Sequence, residues 1–405
     1  MIDSSHGDYQ ASVMDITCDV LVVGAGPAGS SSARSSALHG ENTLLIDRKE
    51  KIGFPVKCAE GIGYYLLPYL PFEIPKEYFI WSMEGMLFWS DDLISEKIGP
   101  QWKSYSVDRK KFDHWLADSA LRAGSKVWDN TEVVDINTDG EYTINKVIVK
   151  KEGKLITLKP KVVIAADGCE STILNKLDLY HPVQGDLAEV YSWEMANLNL
   201  YKPHFEQIYS GSFAPSGYAY IFPKSSTVAN IGLGGIFPEK KMEDYFEQFL
   251  GIPFVQKQVR GGRYIEERSK KAVWNDLTEK WIYGNTILAG DTANQSLKPF
   301  IEGILPSIIY GDIAGGLAHS YCLGESINHT KYVEEAKERI GIENFDRSLI
   351  LHKIINKVLS KKDKKKTLQF FGIVSELLDL EEIEQTDELT YDELKNILMR
   401  QLHGM

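Results

Sequence analysis

The sequence has 405 residues, of which 43% are hydrophobic, and its formal net charge is −12. This length favours roughly two to three domains, and this apolar content is sufficient for a sizeable buried core. An acidic surplus repels phosphate backbones, so the composition excludes a general nucleic-acid-binding protein.

Neither a targeting signal nor a metal site is predicted. Residues 1–17 are polar and acidic and lack the basic start and apolar centre of a secretory signal. No uninterrupted apolar run reaches the roughly 18 residues of a membrane-spanning helix, so we expect a cytoplasmic protein. The four cysteines lie far apart without a CxxC pair, which predicts no zinc site and no disulfide framework.

The stretch from Cys18 to Asp47 predicts a dinucleotide-binding fold. A strand leads through a glycine turn into a helix that ends near Leu38, and a second strand then ends in Asp47. The turn contains three glycines: Gly24, Gly26 and Gly29. The first permits a tight turn, the second lets the backbone approach a pyrophosphate, and the third lets helix and strand pack closely. Asp47 falls at the distance expected for an acid that binds a ribose hydroxyl.

Reactive and small residues interrupt the apolar run that follows. They are Lys57, Cys58, Glu60 and Gly61. This pattern indicates either a backbone packed near a cofactor or a loop with an incidental thiol, because no neighbouring base in the sequence would make Cys58 a thiolate. A helix is predicted within 106–124, and Arg109 at its start would by itself be a solvated surface arginine.

Two aspartates stand at the ends of later predicted strands. Asp167 precedes Gly168, and Asp291 follows a glycine after a strand over 286–289. Open α/β sheets bind ligands at the carboxyl ends of their strands. A helix predicted from near Gly303 would add its N-terminus, which suits the ribityl or phosphate chain of a cofactor.

Between these aspartates the pattern changes to short strands rich in aromatic residues, which predicts an inserted antiparallel sheet over 181–261. Tyr218, Tyr220 and Phe222 alternate along one strand, so their rings share a face and would form one wall of an apolar cavity. The alternative is ordinary β-propensity and core packing.

Residues 326–405 predict a helical cap without a catalytic signature. Within it, lysines over 361–366 stand beside Phe370, Phe371 and Ile373. One interpretation is a peripheral contact with anionic lipid, with the rings at the membrane boundary. The other is a solvated charge run beside ordinary core phenylalanines.

Together the glycine turn and the two strand ends resemble the FAD-binding fold of the p-hydroxybenzoate-hydroxylase-like flavoproteins. Within that superfamily, the sequence PSGYAYIFP over 215–223, followed by GLG over 232–234, resembles the PxxYxWxFP and GxG pattern of the geranylgeranyl reductase family. That family includes archaeal digeranylgeranylglycerophospholipid reductases. The KCAEGI segment over 57–62 is similar to the family's cysteine-containing segment, and the resemblance covers about residues 16–320.

The resemblance implies an α/β (α+β) fold: a Rossmann-like FAD-binding domain over 16–180 and 262–325, the inserted substrate domain, and the helical cap. It implies a cofactor-binding set of residues: Gly24, Gly26, Ala28, Gly29, Asp47, Arg48, Cys58, Ala59, Gly61, Arg109, Asp167, Gly168, Asp291, Gly303 and Ile304. In the family pattern Asp47 would bind the adenosine ribose, Arg109 would lie beside the FAD, and Asp291 would contact the ribityl or phosphate region.

Three positions depart from the family pattern. Tyr220 stands where most members have Trp, Asn294 takes a glycine position in GDTAN, and Glu302 replaces the first glycine of a pair. FAD binding is still expected, whereas the preferred substrate is left open. Glu302 would lie near the flavin edge.

The implied activity is saturation of prenyl double bonds in isoprenoid lipids by hydride transfer from reduced flavin. The aromatic wall would stabilise developing positive charge, and Cys58, Glu302 and Tyr218 are alternative proton donors. The runner-up is a flavin monooxygenase or halogenase acting on an aromatic or other apolar substrate, and a third hypothesis is a lipid-binding protein without flavin. The electron donor is NAD(P)H or reduced ferredoxin, and the protein would work in the cytoplasm or peripherally on the membrane.

Overall fold

The computed structural model describes residues 14–360, 363–379 and 381–404. Its strands, in chain order, are β1 Met14–Val23, β2 Thr43–Ile46, β3 Gly61–Gly63, β4 Phe79–Met83, β5 Gly85–Ser90, β6 Leu93–Ile98, β7 Ser104–Val107, β8 Lys126–Trp128, β9 Thr131–Asp139, β10 Thr143–Lys151, β11 Lys154–Ala165, β12 Leu187–Ala196, β13 Phe205–Ser210, β14 Tyr218–Pro223, β15 Val228–Gly235, β16 Arg263–Glu267, β17 Lys270–Val273, β18 Ile282–Tyr283 and β19 Thr286–Leu288. The α-helices are α1 Pro27–Leu38, α2 Arg109–Arg122, α3 Thr172–Lys176, α4 Met242–Leu250, α5 Pro253–Val259, α6 Ile304–Cys322, α7 His329–Ile340, α8 Ile342–Leu359, α9 Lys364–Val374, α10 Glu382–Thr386 and α11 Tyr391–Gly404.

The first sheet is the predicted dinucleotide fold. Its order is β18-β19-β11-β1-β2-β8, with the β9–β10 hairpin paired beside β11. The pairs β19–β11, β11–β1, β1–β2 and β2–β8 are parallel. The predicted helix through Leu38 and the strand over 43–46 are confirmed. The carboxyl ends of β1, β11 and β19 therefore meet at one edge of this sheet.

The second sheet has the order β16-β12-β15-β14-β13-β5-β6, with β17 also paired to β12. All its pairs are antiparallel except β13 with β5. The predicted antiparallel sheet thus includes four strands, two within 85–98 and two within 263–273, which the sequence pattern had grouped with the FAD-binding segments. A small sheet with the order β3-β7-β4 completes the strand pairing.

Small residues let α1 lie directly against α6, which places both helix N-termini at the same edge. Buried serines of α1 bond to carbonyls of α6: Ser31 Oγ donates to the Ile308 carbonyl at 2.7 Å, and Ser35 Oγ to that of Asp312 at 2.8 Å. A Cβ built at Gly311 would lie only 2.2 Å from the Ala28 carbonyl oxygen. The close approach therefore depends on residues without bulky side chains.

The predicted helical cap is present, but its first helices divide differently from the expectation. The sequence VEEAKERIGIENF over 333–345 by itself predicts one helix, whereas α7 ends at Ile340 and α8 begins at Ile342. Gly341 separates them with a φ of +89°, a conformation that interrupts a right-handed helix and suits glycine. None of the helices in the described part of the chain is long and apolar enough to cross a membrane.

The contact between α1 and α6 predicts opposite effects at two glycines of the same helix. Gly311→Ala should lower the free energy of unfolding by about 1–3 kcal/mol, because the added methyl group meets a backbone atom that cannot rotate away. Gly316→Ala is the matched control: nothing lies within 4 Å of its added Cβ, and alanine favours a helix by about 1 kcal/mol. Urea unfolding of both variants measures the difference, and equal effects would contradict the packing described.

Candidate active site

A cavity of about 680 Å³ lies where the first sheet, the second sheet and the C-terminal helices meet. Every residue of the predicted cofactor-binding and catalytic sets lines it except Gly29. The residues from α8 and α9 that close it were not predicted as site residues: Asn344, Arg347, Ser348, Leu351, Ile373 and Val374. The structure therefore brings together groups separated by more than 300 positions of sequence.

The three glycines of the first turn have different surroundings. A Cβ at Gly24 would lie 2.4 Å from the Ala166 carbonyl oxygen, and one at Gly29 would lie 1.7 Å from the Gly24 carbonyl oxygen. These two glycines hold β1, β11 and α1 together. A Cβ at Gly26 would meet nothing within 4 Å, because this position faces the cavity. Gly26 is thus the position where a bound group can approach the backbone.

Two helix N-termini point at the same cavity without a side-chain cap. Gly26 precedes α1 and Gly303 precedes α6, and neither helix has a capping side chain or an acid in its first turn. Free N–H groups and the positive end of the helix dipole favour anionic or electron-rich groups. The pair of helices therefore suits a pyrophosphate at one end and a polar ring edge at the other.

Asp47 fixes the first turn and lines the cavity. Its Oδ2 accepts from the Ala25 backbone N–H at 2.7 Å, and its Oδ1 accepts from the Lys49 N–H at 2.8 Å. Each carboxylate oxygen can accept a further hydrogen bond, so a ribose hydroxyl can still be bound here. Its neighbour Arg48 is exposed and lies at the rim of the cavity.

The two later strand ends contact each other. The Gly168 backbone N–H donates to Thr292 Oγ1 at 2.9 Å, which joins the turn after β11 to the turn after β19. Asp167 has both oxygens engaged: Oδ1 accepts from Ser171 Oγ at 2.6 Å, and Oδ2 accepts from the Thr172 N–H at 2.6 Å. Asp167 thus organises the start of α3, and its contact with FAD stays a prediction.

Asn294, one of the departures from the family pattern, keeps the backbone shape that glycine would give. It has φ 57° and ψ 31°, a left-handed conformation that Asn tolerates better than most residues. Its side chain turns away from the cavity, and Nδ2 donates to the Asp276 carbonyl at 2.8 Å. The substitution therefore leaves the neighbouring Asp291 in place at the cavity wall.

Arg109 is a partly buried cavity residue, and its side chain is only 15% exposed. Its Nε and Nη2 donate to both oxygens of Asp113 at 2.6 and 2.8 Å. Its backbone N–H donates to Glu60 Oε1 at 2.8 Å. Cys58 lies beside the guanidinium, and its Sγ accepts from the Glu60 N–H at 3.3 Å. The cysteine segment and the start of α2 thus form one unit.

Glu60, which the sequence analysis noted but did not assign, is the centre of a buried ion network. It has no exposed surface, and its Oε2 lies 2.5 Å from Lys224 Nζ and 2.5 Å from Arg268 Nη1. Glu194 also pairs with both cations. Burial alone would raise the pKa of Glu60, but Lys224 and Arg268 outweigh it and hold that pKa below its ordinary value.

The predicted aromatic wall is present on one face of β14. The ring centroids of Tyr218 and Tyr220 are 6.5 Å apart, and those of Tyr220 and Phe222 are 4.9 Å apart. The Tyr218 hydroxyl donates to the Phe300 carbonyl at 2.8 Å, and burial raises its pKa. This bond orients the ring and makes Tyr218 a wall residue in preference to an acid.

The aromatic residues of α9 pack against this wall, and Ile373 and Val374 of the same helix line the cavity itself. Phe370 stacks on Tyr218 with ring centroids 6.5 Å apart, and Phe370, Phe371 and Ile373 are buried. The expectation that these side chains lie at a membrane boundary is therefore wrong, because they pack against the second sheet. Lys361 and Lys362 of the same hypothesis lie outside the described residues.

Glu302 is held in the cavity by two donors. Its Oε1 accepts from the Gly63 N–H at 2.8 Å, and its Oε2 accepts from the Tyr65 hydroxyl at 2.8 Å. Burial raises the pKa of Glu302, while these two hydrogen bonds favour its ionised form. The preceding residue, Ile301, has a φ of +55°, an unusual conformation for a β-branched residue, so the loop before α6 is tightly constrained.

These features fit a bound FAD. The open position at Gly26 and the uncapped start of α1 suit the pyrophosphate, Asp47 suits the ribose, and the start of α6 suits the polar edge of the flavin ring. The aromatic wall then lies in the remaining, apolar part of the cavity.

Comparison with known proteins agrees with this geometry. Residues 19–169 match the model of FAD dependent oxidoreductases, and residues 186–267 match that of the geranylgeranyl reductase catalytic domain. The digeranylgeranylglycerophospholipid reductase of Methanococcus aeolicus is 36% identical over 80% of this chain and 81% of its own length. The enzyme of the same name from Methanocaldococcus jannaschii is 33% identical over 85% of this chain and 87% of its own.

Solved structures share the fold. A geranylgeranyl bacteriochlorophyll reductase-like protein from Thermoplasma acidophilum has a TM-score of 0.76 at 24% identity, covering 96% of this chain and all of its own (100%). A myxobacterial chondrochloren halogenase has a TM-score of 0.67 at 16% identity, covering 96% of this chain and 98% of its own. At these identities the likeness concerns architecture, which both classes of flavoprotein share.

The surroundings of Gly26 predict a variant that folds but does not bind FAD. Gly26 has φ −76°, which any residue adopts, and space for a side chain, so Gly26→Val should unfold like the wild type. The valine would occupy the place of the pyrophosphate, and FAD affinity should fall at least about tenfold, which corresponds to about 1.4 kcal/mol. Flavin fluorescence titration and thermal unfolding of the apoprotein measure the two effects. Unchanged FAD affinity would refute the assignment of this turn.

The network around Glu60 predicts a pH-dependent stability. Glu60→Gln should lower the free energy of unfolding by about 3–5 kcal/mol near neutral pH, because Lys224 and Arg268 lose a buried counter-charge. The depressed folded-state pKa means that this stabilisation is present above the ordinary glutamate pKa and is lost as pH falls through the folded-state value. Urea unfolding at a series of pH values should show the difference from wild type shrinking below about pH 4.

Glu170→Gln is the control for this measurement. Glu170 pairs with Lys271 at 2.9 Å, but both side chains are about half exposed, and such pairs contribute below about 1 kcal/mol. If Glu60→Gln and Glu170→Gln lowered the free energy of unfolding by the same amount, the buried ion network would contribute no more stability than an exposed pair.

Proposed function

The chain belongs to the geranylgeranyl reductase family, and we propose that it saturates prenyl double bonds of geranylgeranylated membrane lipids or their precursors. Bound FAD, when reduced, supplies the hydride. The observation that supports this function is the continuity of one cavity, which begins at the dinucleotide turn and ends against the aromatic face of β14. A long apolar chain needs such a wall, and the reduction of an isolated double bond needs a site from which the bound chain excludes water.

The residues of the chain act by excluding water and by orienting the substrate. Tyr218, Tyr220 and Phe222 present ring faces, which attract positive charge as it develops on the reacting carbons. Water exclusion strengthens this attraction because it lowers the local dielectric constant. The bond from Tyr218 to the Phe300 carbonyl fixes the wall before substrate enters, so the site needs little reorganisation during the reaction.

Three finer features are part of the proposal. The electrons come from NAD(P)H or from reduced ferredoxin, the two donors that the family resemblance implies. The substrate is a long-chain isoprenoid lipid, so the protein works in the cytoplasm with a peripheral contact to the membrane. With the phenylalanines of α9 buried, this contact is supported by the chemistry of the substrate alone.

The proposed function predicts reduction of an alkene without oxygen. Dithionite-reduced protein, incubated anaerobically with a geranylgeranylated glycerophospholipid, should increase the lipid mass in steps of two hydrogens. Phe222→Ala should slow single-turnover reduction about tenfold or more, because loss of a desolvated ring face costs about 2 kcal/mol. Tyr220→Trp, which restores the common family residue, should retain activity or shift which bond is reduced. FAD binding should be unchanged in both variants.

The alternative function predicts a different result when lipid mass and oxygen consumption are both measured. A monooxygenase or halogenase would leave the lipid mass unchanged and would consume oxygen in step with an aromatic substrate. That pair of observations would overturn the proposal.

A further inference from the structure

Glu206 is a buried acid in the substrate part of the cavity. It lies on β13, lines the cavity and is only 6% exposed. The register between β13 and β14 pairs Ile208 with Tyr220. Two positions away, Glu206 is therefore the cross-strand neighbour of Phe222, and all four side chains lie on the same face of the sheet. An acid therefore stands within the aromatic wall itself.

Two glycines of β3 make room for this acid beside a second one. A Cβ at Gly61 would lie 2.7 Å from Glu206 Oε1, and a Cβ at Gly63 would lie 3.0 Å from Glu302 Oε1. Gly61 and Gly63 share one face of β3, where same-face positions are about 7 Å apart. The two carboxyl groups thus lie next to each other, on the face of β3 where Gly61 and Gly63 have no side chains.

Burial raises the pKa of both acids, but their hydrogen-bond partners differ. Both oxygens of Glu302 accept hydrogen bonds, from Gly63 and Tyr65, which favours the carboxylate. Within the described ranges Glu206 forms no ion pair, and Ser104 is its polar neighbour. Burial raises the pKa of Glu206 to about 8, and the charge of Glu302 adds to the effect. Glu206 is therefore the protonated member of the pair at neutral pH.

We propose that the Glu206 carboxyl group is the acid that delivers the proton to the substrate double bond. This inference rests on the proposed reduction of an alkene. The π bond breaks, one carbon receives the hydride supplied by the reduced cofactor, and the other receives the proton from the Glu206 O–H. The cofactor is oxidised by two electrons, the alkene is reduced by two, and Glu206 becomes a carboxylate that water reprotonates. Because a carboxyl group alone is too weak to protonate an isolated alkene, both transfers occur together.

Other titratable groups line the same cavity. Among them are Glu302 and Lys298 before α6, Tyr65 after β3, Tyr218 and Tyr220 on β14, and Cys58 before β3. Burial lowers the pKa of Lys298 to about 8, so the infrared band of the carboxyl group, which a lysine does not give, identifies Glu206. Burial moves the pKa values of the three tyrosines above their ordinary range. The tyrosines therefore stay neutral around pH 8, where Glu206 titrates.

The test compares Glu206→Gln with Glu302→Gln by infrared spectroscopy and by single-turnover reduction. Glutamine has the shape of a protonated glutamate, so Glu206→Gln should fold and bind FAD like the wild type. In the substrate-free wild type, the C=O band of a protonated carboxyl group should disappear as the pH rises through about 8. That band should be absent from Glu206→Gln and retained in Glu302→Gln.

The kinetic result is expected in parallel. Single-turnover reduction by the wild type should fall as pH rises through the same range, and Glu206→Gln should be slower by about 100-fold or more without that dependence. A band that persists in Glu206→Gln, or a rate within about threefold of wild type at neutral pH, would overturn the inference. The infrared measurement needs no substrate. It therefore tests the protonation of Glu206 even if the wild type reduces no prenyl lipid, and the failure of this inference can be told from the failure of the proposed function.

Discussion

The burial of the Glu60 carboxylate is the constraint on which the arrangement of the site depends. An unpaired carboxylate at this depth would cost several kcal/mol, so its partners must be present whenever the chain is folded. The Arg109 N–H comes from the start of α2, whereas Lys224 and Arg268 directly follow β14 and β16 of the second sheet. One side chain therefore holds the cofactor side and the substrate side of the cavity in a fixed relation. A positive φ at Glu60 directs the chain into this position.

Around this centre the cavity has two chemically different halves. At one end, backbone N–H groups of two uncapped helices and the Asp47 carboxylate form a polar surface that suits a dinucleotide. At the other end, aromatic rings from β14 and the aliphatic side chains of Ile373 and Val374 from α9 form a surface that suits hydrocarbon. Glu206 and Glu302 lie beside the backbone of the two β3 glycines, next to the aromatic rings. Hydrocarbon binding and proton transfer thus occupy adjoining surfaces without sharing the same side chains.

The sequence predicted the features that depend on local pattern. The strand over 43–46 and the shared face of Tyr218, Tyr220 and Phe222 follow from period-two alternation and from turn residues. Glu206 could not be identified in this way, since an acid in a strand normally marks the solvent face and both faces of β13 are buried. The only local indication was that Glu206 and Ile208 are two positions apart in the strand, so their side chains lie on the same face. Likewise, the aromatic residues beside a lysine run gave no indication of whether lipid or the protein itself would cover them.

The role of α9 as a wall has a consequence for biosynthesis. The parts that suit the cofactor, from the first glycine turn to the start of α6, leave the ribosome well before Phe370, Ile373 and Val374. A chain that stopped before α9 would have a nearly complete flavin site with an open substrate side. Loss of the C-terminal residues would therefore expose the apolar half of the cavity to water while leaving the residues that suit the cofactor in place.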